Sequence, residues 1–357
     1  MDEFASIDHW TADRQSADWQ RRRGVIVGIG DDAAVVDIGS AAGLPEASGK
    51  LLLTVDMMVE SIHFNEQTMR DEDVGYKAMA ANVSDIAAMG GVPRYALAAV
   101  SVPASYSPER MRKVYDGLYA CAERYGVAIV GGDTTSSPMH MAVSVTLAGE
   151  VEPGRELRRS GARAGDKVFV TGAVGMSAAG LHALQSGKAS LLMSDSEEKI
   201  SASGGEGAYA ALVRAHCRPA PSVRAGRILL ESGACRSLND VSDGLASEAW
   251  EIAQASGLRL VLHERMLPKS GSLAAFASQA GVDPLEWMLY GGEDYVLMGT
   301  IDALAAERVP ADFHKEGLPF YLIGDAEAGN PGVELLRDDN SEKREPLLKK
   351  GYNHFKR

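Results

Sequence analysis

The sequence predicts an α/β protein built from two domains. The chain has 357 residues, a length that favours about two domains over one. Over the first ~150 residues, apolar strand-like runs alternate with helix-patterned stretches, and a second α/β half follows. Between the halves lies "EPGRELRRSGARAGD", residues 152–166, rich in Gly, Arg and polar residues. The expected division is therefore 1–152 and 153–357.

In the first half, strands are expected at 25–29, 51–56, 96–102, 128–131 and 141–149. One helix is expected from about 72 to 89, stopped by Gly90 and Gly91. A second follows "SPER", with Ser107 as N-cap and Pro108 at the first helical position. Its apolar residues Met111, Val114, Tyr115, Leu118, Cys121 and Ala122 recur at helical spacing, and Gly126 stops it. After the junction, "DKVFVTGAVG" reads as a strand entering a Gly-rich turn, and "MSAAGLHALQSG" as a short helix. The polar stretch 187–207 reads as a loop, and later strands are expected at 258–263, 295–301 and 320–324. "NVSDIAAMG" and "NDVSDGLAS" each place an acid at or in a helix, a faint echo of duplicated halves.

Composition narrows the function classes. Hydrophobic residues make up 45% and charged residues 24%, with a formal net charge of −13. An acidic chain offers no broad electrostatic footprint for nucleic acid or anionic membrane. A phosphate-rich ligand would need local basic groups or metal ions. The start, "MDEFASIDHW", lacks the basic and apolar regions of a signal peptide, and no apolar run approaches the ~18–20 residues of a membrane span. The three cysteines, Cys121, Cys217 and Cys235, are far apart and form no C-x-x-C. A cytoplasmic, reducing location is the expectation. H-E-x-x-H, Walker A and G-x-S-x-G patterns are missing, which disfavours a P-loop kinase or an α/β-hydrolase.

The informative residues are aspartates. "GIGDDAAV" fits G-x-G-x-x-A spacing through Gly28, Gly30 and Ala33, yet Asp31 and Asp32 stand where a phosphate would sit. Asp56 closes the apolar run that contains Thr54. Asp85 shares a helix face with Asn82, Ala81, Ala78 and Val74, the small-residue face expected to pack inward. An unpaired carboxylate there carries a heavy desolvation cost. Asp133 follows an apolar strand and two glycines, and Asp240 and Asp243 lie in "NDVSDGLASE". Strand ends of an open α/β sheet converge on one crevice. Carboxylates gathered there repel by ~4 kcal/mol per pair at ~4 Å and an effective dielectric of ~20. Hard divalent cations relieve that repulsion, and Mg²⁺ takes carboxylates and substrate phosphates together.

Each residue also has a purely structural reading. Asp31 suits a turn facing water, Asp133 a turn closure, and Asp243 the N-cap of a helix over 244–256. His63 reads equally as a core or surface histidine, Arg158 and Arg159 as a solvated pair, and Tyr115 as core packing. Glu293 and Asp294 suit a hairpin or a ligand-facing loop. Asp85 has the weakest structural reading.

Taken in order, "GIGDDAAV", "TVDMMVESIHF", "YKAMAANVSDIAAMGGVP", "IVGGDTT", "LRRSGARAGD", "VTGAVGMSAAGL", "VSDGL", "GGEDYVL" and "GYNHF" resemble the motifs of thiamine-monophosphate kinases over nearly the whole chain. The wider superfamily includes aminoimidazole-ribonucleotide synthetase, selenophosphate synthetase and a hydrogenase-maturation protein. The resemblance implies a two-domain aminoimidazole-ribonucleotide-synthetase-like fold. Its N-terminal mixed sheet with helices would form a homodimer core, and a C-terminal α/β domain would complete the active site. It also implies a reaction: direct in-line transfer of phosphoryl from ATP to thiamine monophosphate, using several Mg²⁺ ions.

Carried over by motif, the metal ligands would be Asp32, Thr54, Val55, Asp56, Asp85, Asp133, Asp240 and Asp243. Asp32, Asp85, Asp133 and Asp243 would serve catalysis. ATP would meet Tyr115, Gly132, Asp133, Arg159 and Ser242, and thiamine monophosphate would meet His63, Glu293 and Tyr352. Val55 departs from relatives that carry a hydroxyl there, so a metal at that position would rely on backbone carbonyl or water. Another ATP-dependent synthetase of the superfamily is the competing enzyme reading. Against it stand the lack of any cysteine before Cys121, the ending "GYNHFKR", and the His63, "GGEDY" and "GYNHF" elements. A non-catalytic, metal-stabilised dimeric scaffold is the third reading, but a scaffold has no need to converge its acids.

Overall fold

The computed structural model describes residues 16–37, 49–191, 206–338 and 343–350. Tyr352, the "GYNHF" ending and most of the 187–207 stretch lie outside them. After a short helix, α1 (Ala17–Arg21), the first domain lays six strands in the order β1-β2-β3-β6-β4-β5. These are β1 Val25–Val27, β2 Ala34–Val36, β3 Lys50–Val59, β4 Val92–Pro103, β5 Ala128–Ser137 and β6 Ala142–Val151. All neighbours pair antiparallel except β4 with β5.

Two helices, α2 (Asp71–Ala88) and α3 (Pro108–Tyr125), accompany this sheet. Helix α2 opens on Asp71, Glu72 and Asp73, a first turn that suits the helix dipole. Ser107 caps α3 by accepting from Arg110 N at 3.3 Å, and Gly126 ends it at φ 69°. The helices touch backbone to backbone. A Cβ on Gly75 would lie 1.8 Å from Val114 O, and one on Gly117 would lie 1.8 Å from Glu72 O. Cys121, on the inner face of α3, is buried in the core.

The sheet has two unlike faces, as a period-2 pleat requires. Leu52, Thr54, Asp56 and Met58 of β3 face inward with Val143, Val145 and Leu147 of β6. Leu53, Val55 and Met57 face outward, in register with Tyr95 and Leu97 of β4 through β6, and all five are exposed.

The second domain carries a seven-stranded sheet, in the order β13-β12-β9-β11-β7-β10-β8. Its strands are β7 Lys167–Val170, β8 Cys235–Asp240, β9 Arg259–His263, β10 Leu297–Ile301, β11 Tyr321–Glu327, β12 Gly332–Leu336 and β13 Arg344–Pro346. Its helices are α4 Met176–Gln185, α5 Glu206–Cys217, α6 Val223–Ser232, α7 Leu245–Ser256, α8 Gly271–Ala280, α9 Pro284–Tyr290 and α10 Arg308–Lys315. Helix α2 lies where the domains meet, contacting β3 and β6 on one side and β8, α5 and α6 on the other. That placement buries it nearly all round, including Asp73, Lys77, Asn82 and Ser84.

Three sequence expectations need correction. Asp56 sits inside β3, not at a strand end, because β3 pairs with β6 along all ten of its residues. Asp133 likewise sits inside β5, whose pairing with β4 runs on to Ser137. The helix expected from 244 starts at Leu245, and its N-cap is Gly244 at φ 110° with no side-chain cap bond. Asp243 is therefore not the cap.

Candidate active site

Four aspartates from four separate segments meet where the domains join. Asp32 comes from the turn before β2, Asp56 from β3, Asp85 from the last turn of α2, and Asp240 from the end of β8. One oxygen each from Asp32, Asp85 and Asp240 lies within 4.8 Å of the others. Beside them opens a cavity of about 340 Å³. Its walls include Asp56, Asp85, Asp240, Ser242, Asp243, His63 and Glu293.

Neighbouring polar groups hold the carboxylates in place. Thr54 Oγ1 donates to Asp85 Oδ2. Ser84 Oγ donates to Asp240 Oδ2 across the domain boundary. Asn82 Oδ1 accepts from Asp56 N at 3.0 Å, while its Nδ2 donates to Ala78 O. Arg159 donates to Asp32 through Nε at 3.2 Å and through Nη2. Asp32 Oδ2 is buried with no hydrogen-bond partner among the described residues.

Electrostatics follows from crowding and burial. Burial, then the Asp32 charge, lifts Asp56 to about 6 and Asp240 to about 8. Asp85 is pushed well above the usual carboxylate range by burial and by the charges of Asp56, Asp240 and Asp32. Burial raises Asp32 as well, against the opposing pull of Arg159. Asp31 rises to about 6, through burial and then the adjacent Asp32. Four acids that resist ionisation together form a site that favours added positive charge.

The second domain shapes its share of the site through Glu248, a buried residue on α7. Glu248 Oε2 accepts from Asn239 Nδ2 at 2.6 Å, and Oε1 accepts from Asp243 N at 2.9 Å. It clamps both sides of the 240–243 turn. His63 Nδ1 accepts from Val59 N at 2.9 Å, which makes Nε2 the protonated nitrogen of a neutral ring.

Other expected residues lie elsewhere. The Val55 side chain points to the outer face of the sheet and is 59% exposed, so only its backbone is available to the inner cluster. Asp133 is exposed on β5, in register with Ala99, on the outer face that carries Leu97. The expectation that all the acids share one crevice thus fails for Asp133 within a single chain, because the pleat turns it outward. Gly132 has a packing reason of its own: a Cβ there would lie 1.8 Å from Ala98 O. Tyr115 is half-buried against the first-domain core. Arg159 is no solvated surface residue, since its side chain is 15% exposed and spent on Asp32.

Sequence reasoning passed over Glu248, Ser84 and Lys77. Ser84 carried a signal, being a polar residue in the Ala-rich stretch beside Asp85. Lys77 and Glu248 carried none, since both are ordinary in exposed helices.

Comparison with known proteins agrees with this architecture. The family "AIR synthase related protein, N-terminal domain" matches residues 30–151, and its C-terminal domain counterpart matches 163–335. The chain is therefore an AIR synthase-related protein, with the two-domain fold of that class. A thiamine-monophosphate kinase of Bacillus subtilis is 38% identical over 359 residues, covering 100% of both chains. The solved structure "AaThiL complexed with AMPPCP and TMP" superposes with a TM-score of 0.76 at 32% identity, covering 99% of this chain and 97% of that one. A thiamine-monophosphate kinase from Stenotrophomonas maltophilia gives 0.72 at 31% identity, covering 90% and 96%. The chain belongs to the thiamine-monophosphate kinase family.

Proposed function

We propose that this chain transfers the γ-phosphoryl group of ATP to the phosphate of thiamine monophosphate, giving ADP and thiamine diphosphate. The observation that carries the reading is the set of Asp32, Asp85 and Asp240, whose oxygens gather within 4.8 Å beside the cavity. Family membership supplies the substrates. The donor set fits Mg²⁺: every donor is a hard carboxylate oxygen, and Asp32 Oδ2 is buried with no partner among the described residues. Asp32, Asp56, Asp85 and Asp240 would hold such ions, joined by the Thr54 hydroxyl, the Val55 carbonyl and Asp243. Bound there, the ions would supply the positive charge that offsets repulsion between two phosphate groups.

The remaining work falls to side chains that bind and orient. The acceptor is a phosphate oxygen, largely ionised near neutral pH, so no strong general base is required. Arg159 and Ser242 stand at the acid end and would meet ATP phosphates. His63 offers an Nε2–H donor and Glu293 a carboxylate to the same cavity, suited to thiamine monophosphate. Tyr352 is assigned to the same substrate by motif alone.

A homodimer accounts for the outer sheet face. Leu53, Val55, Met57, Tyr95 and Leu97 form an exposed apolar band of the kind that marks an interface. Asp133 and Gly132 lie on the strand beside it, so their ATP role belongs to the assembled pair. Among the described residues no helix is long and apolar enough to cross a membrane. The three free cysteines suit a reducing, cytoplasmic setting.

The deciding experiment incubates the purified chain with ATP, Mg²⁺ and thiamine monophosphate. Equal amounts of ADP and thiamine diphosphate are expected. ADP release that ignores thiamine monophosphate, with no thiamine diphosphate formed, overturns the reading.

A further inference from the structure

Lys77 is a charged residue in the middle of α2 whose side chain is 0% exposed. Its Nζ lies 2.6 Å from Glu293 Oε2 and 3.4 Å from His216 Nδ1. Ser177 Oγ sits 3.1 Å from the same imidazole nitrogen. Burial, reinforced by the Lys77 charge, holds His216 well below the ordinary histidine range. The imidazole is therefore neutral, and the ammonium donating to Nδ1 selects its Nε2–H tautomer. A fully buried ammonium, a neutral histidine and a half-buried carboxylate from three separate elements thus converge on one point.

The carboxylate stands on unusual backbone. Glu293 has φ 65° and Tyr295 has φ 52°, left-handed values that cost a non-glycine residue free energy. The loop is tied down on both sides. Glu293 N donates to Ser242 O at 2.6 Å, and Tyr295 N donates to Val241 O at 2.9 Å. Asp294 turns the other way and accepts from the N–H groups of Gly175 and Ser177, at 2.5 and 3.0 Å, at the start of α4. Strain that persists under so many restraints points to a side chain whose direction matters.

We propose that Lys77, with His216, is a positioning residue that grips Glu293 Oε2 and so aims Oε1 at the substrate. The inference rests on the reading of the cavity as the thiamine monophosphate site. Its chemical consequence is specific. The Glu293 carboxylate and the Lys77 ammonium, 2.6 Å apart, form a pair of no net charge. What the cavity receives is a hydrogen-bond acceptor of fixed direction. The matching substrate feature is an N–H donor, such as the exocyclic amine of an aminopyrimidine, more than the ring cation.

The test is steady-state kinetics on the full chain carrying Lys77→Met, with thiamine monophosphate and ATP varied separately. KM for thiamine monophosphate is expected to rise about tenfold, with KM for ATP within about twofold of wild type. A parallel rise in both KM values, or no change in either, overturns the inference. Lys77→Gln keeps a donor and covers the case of a Met variant that does not fold; the same split is expected with a smaller rise. Glu293→Gln provides the second arm. If Lys77 acts through Glu293, the double variant has the kcat/KM of Glu293→Gln alone, whereas losses that multiply refute that route. A wild-type chain that forms no thiamine diphosphate refutes the functional reading and this inference together. An active wild type indifferent to Lys77 refutes this inference alone.

Discussion

Ser84 Oγ donates a 2.6 Å hydrogen bond to Asp240 Oδ2, and that bond spans the two domains. Ser84 rides on α2 one residue before Asp85, while Asp240 ends β8. Both residues are buried, so removing the hydroxyl leaves a buried carboxylate short of a donor. Ser84→Ala is expected to cost about 1–2 kcal/mol of unfolding free energy without metal. Urea denaturation measures it, and an unchanged midpoint would remove the bond from any account of domain docking.

Asp85→Asn separates stability from turnover. Burial and three neighbouring aspartates already favour the neutral form of Asp85, so an uncharged amide of the same size suits the fold. The melting temperature of the metal-free variant is expected to equal or exceed that of wild type. Turnover is expected to fall by at least about a hundredfold, because the variant lacks a carboxylate proposed to hold Mg²⁺. Full activity would place the metals elsewhere.

The same acids set a pH dependence. Asp56 and Asp240 titrate near 6 and 8 in the folded chain, against about 3.9 when unfolded. Between those limits the folded state binds more protons, so these groups lose stability as pH rises toward about 8. A divalent cation held by these acids would compete with the protons, and its benefit would grow in the same direction. The rise in melting temperature on adding Mg²⁺ is expected to be larger at about pH 8 than at about pH 6. Differential scanning fluorimetry reads this directly, and an equal rise at both values contradicts it.

Val55 tests the assembly. Its side chain is 59% exposed in the centre of the apolar band, with no contact to the acid cluster. Val55→Arg is expected to leave the monomer fold intact and convert a dimer to monomers in sedimentation velocity. If Asp133 serves ATP only in the pair, activity falls with the dimer fraction. A variant that remains dimeric points to another interface.

How much of this was legible depended on whether a residue's meaning is local. Asp85 was legible because a carboxylate amid alanines on one helix face has no inexpensive structural explanation. The Ser107-Pro108 start and Gly126 stop of α3 were legible because capping is a matter of a few neighbouring residues. Asp56 and Asp133 look alike in sequence, each an acid after an apolar run. They part company because pleat parity and the added length of β5 decide which face an acid occupies, and neither is written locally. Strand β8, "CRSLND", escaped notice because its buried polar residues find partners outside the strand: Ser237 in Thr300, and the Asn239 amide nitrogen in Glu248. Lys77 was opaque for the same reason, since its burial is created by α5 and the 291–295 loop.

The glycine contact between α2 and α3 has one further effect. With Gly75 and Gly117 each pressed on the other helix's backbone, α2 has no room to slide or roll against its neighbour. Lys77 and Asp85 lie eight residues apart on that helix, about 12 Å along its axis. The helix thus works as a ruler clamped at one end. The spacing between the Lys77–Glu293 pair and the Asp85 carboxylate is therefore set by the rise of one helix and not by the closure of the two domains.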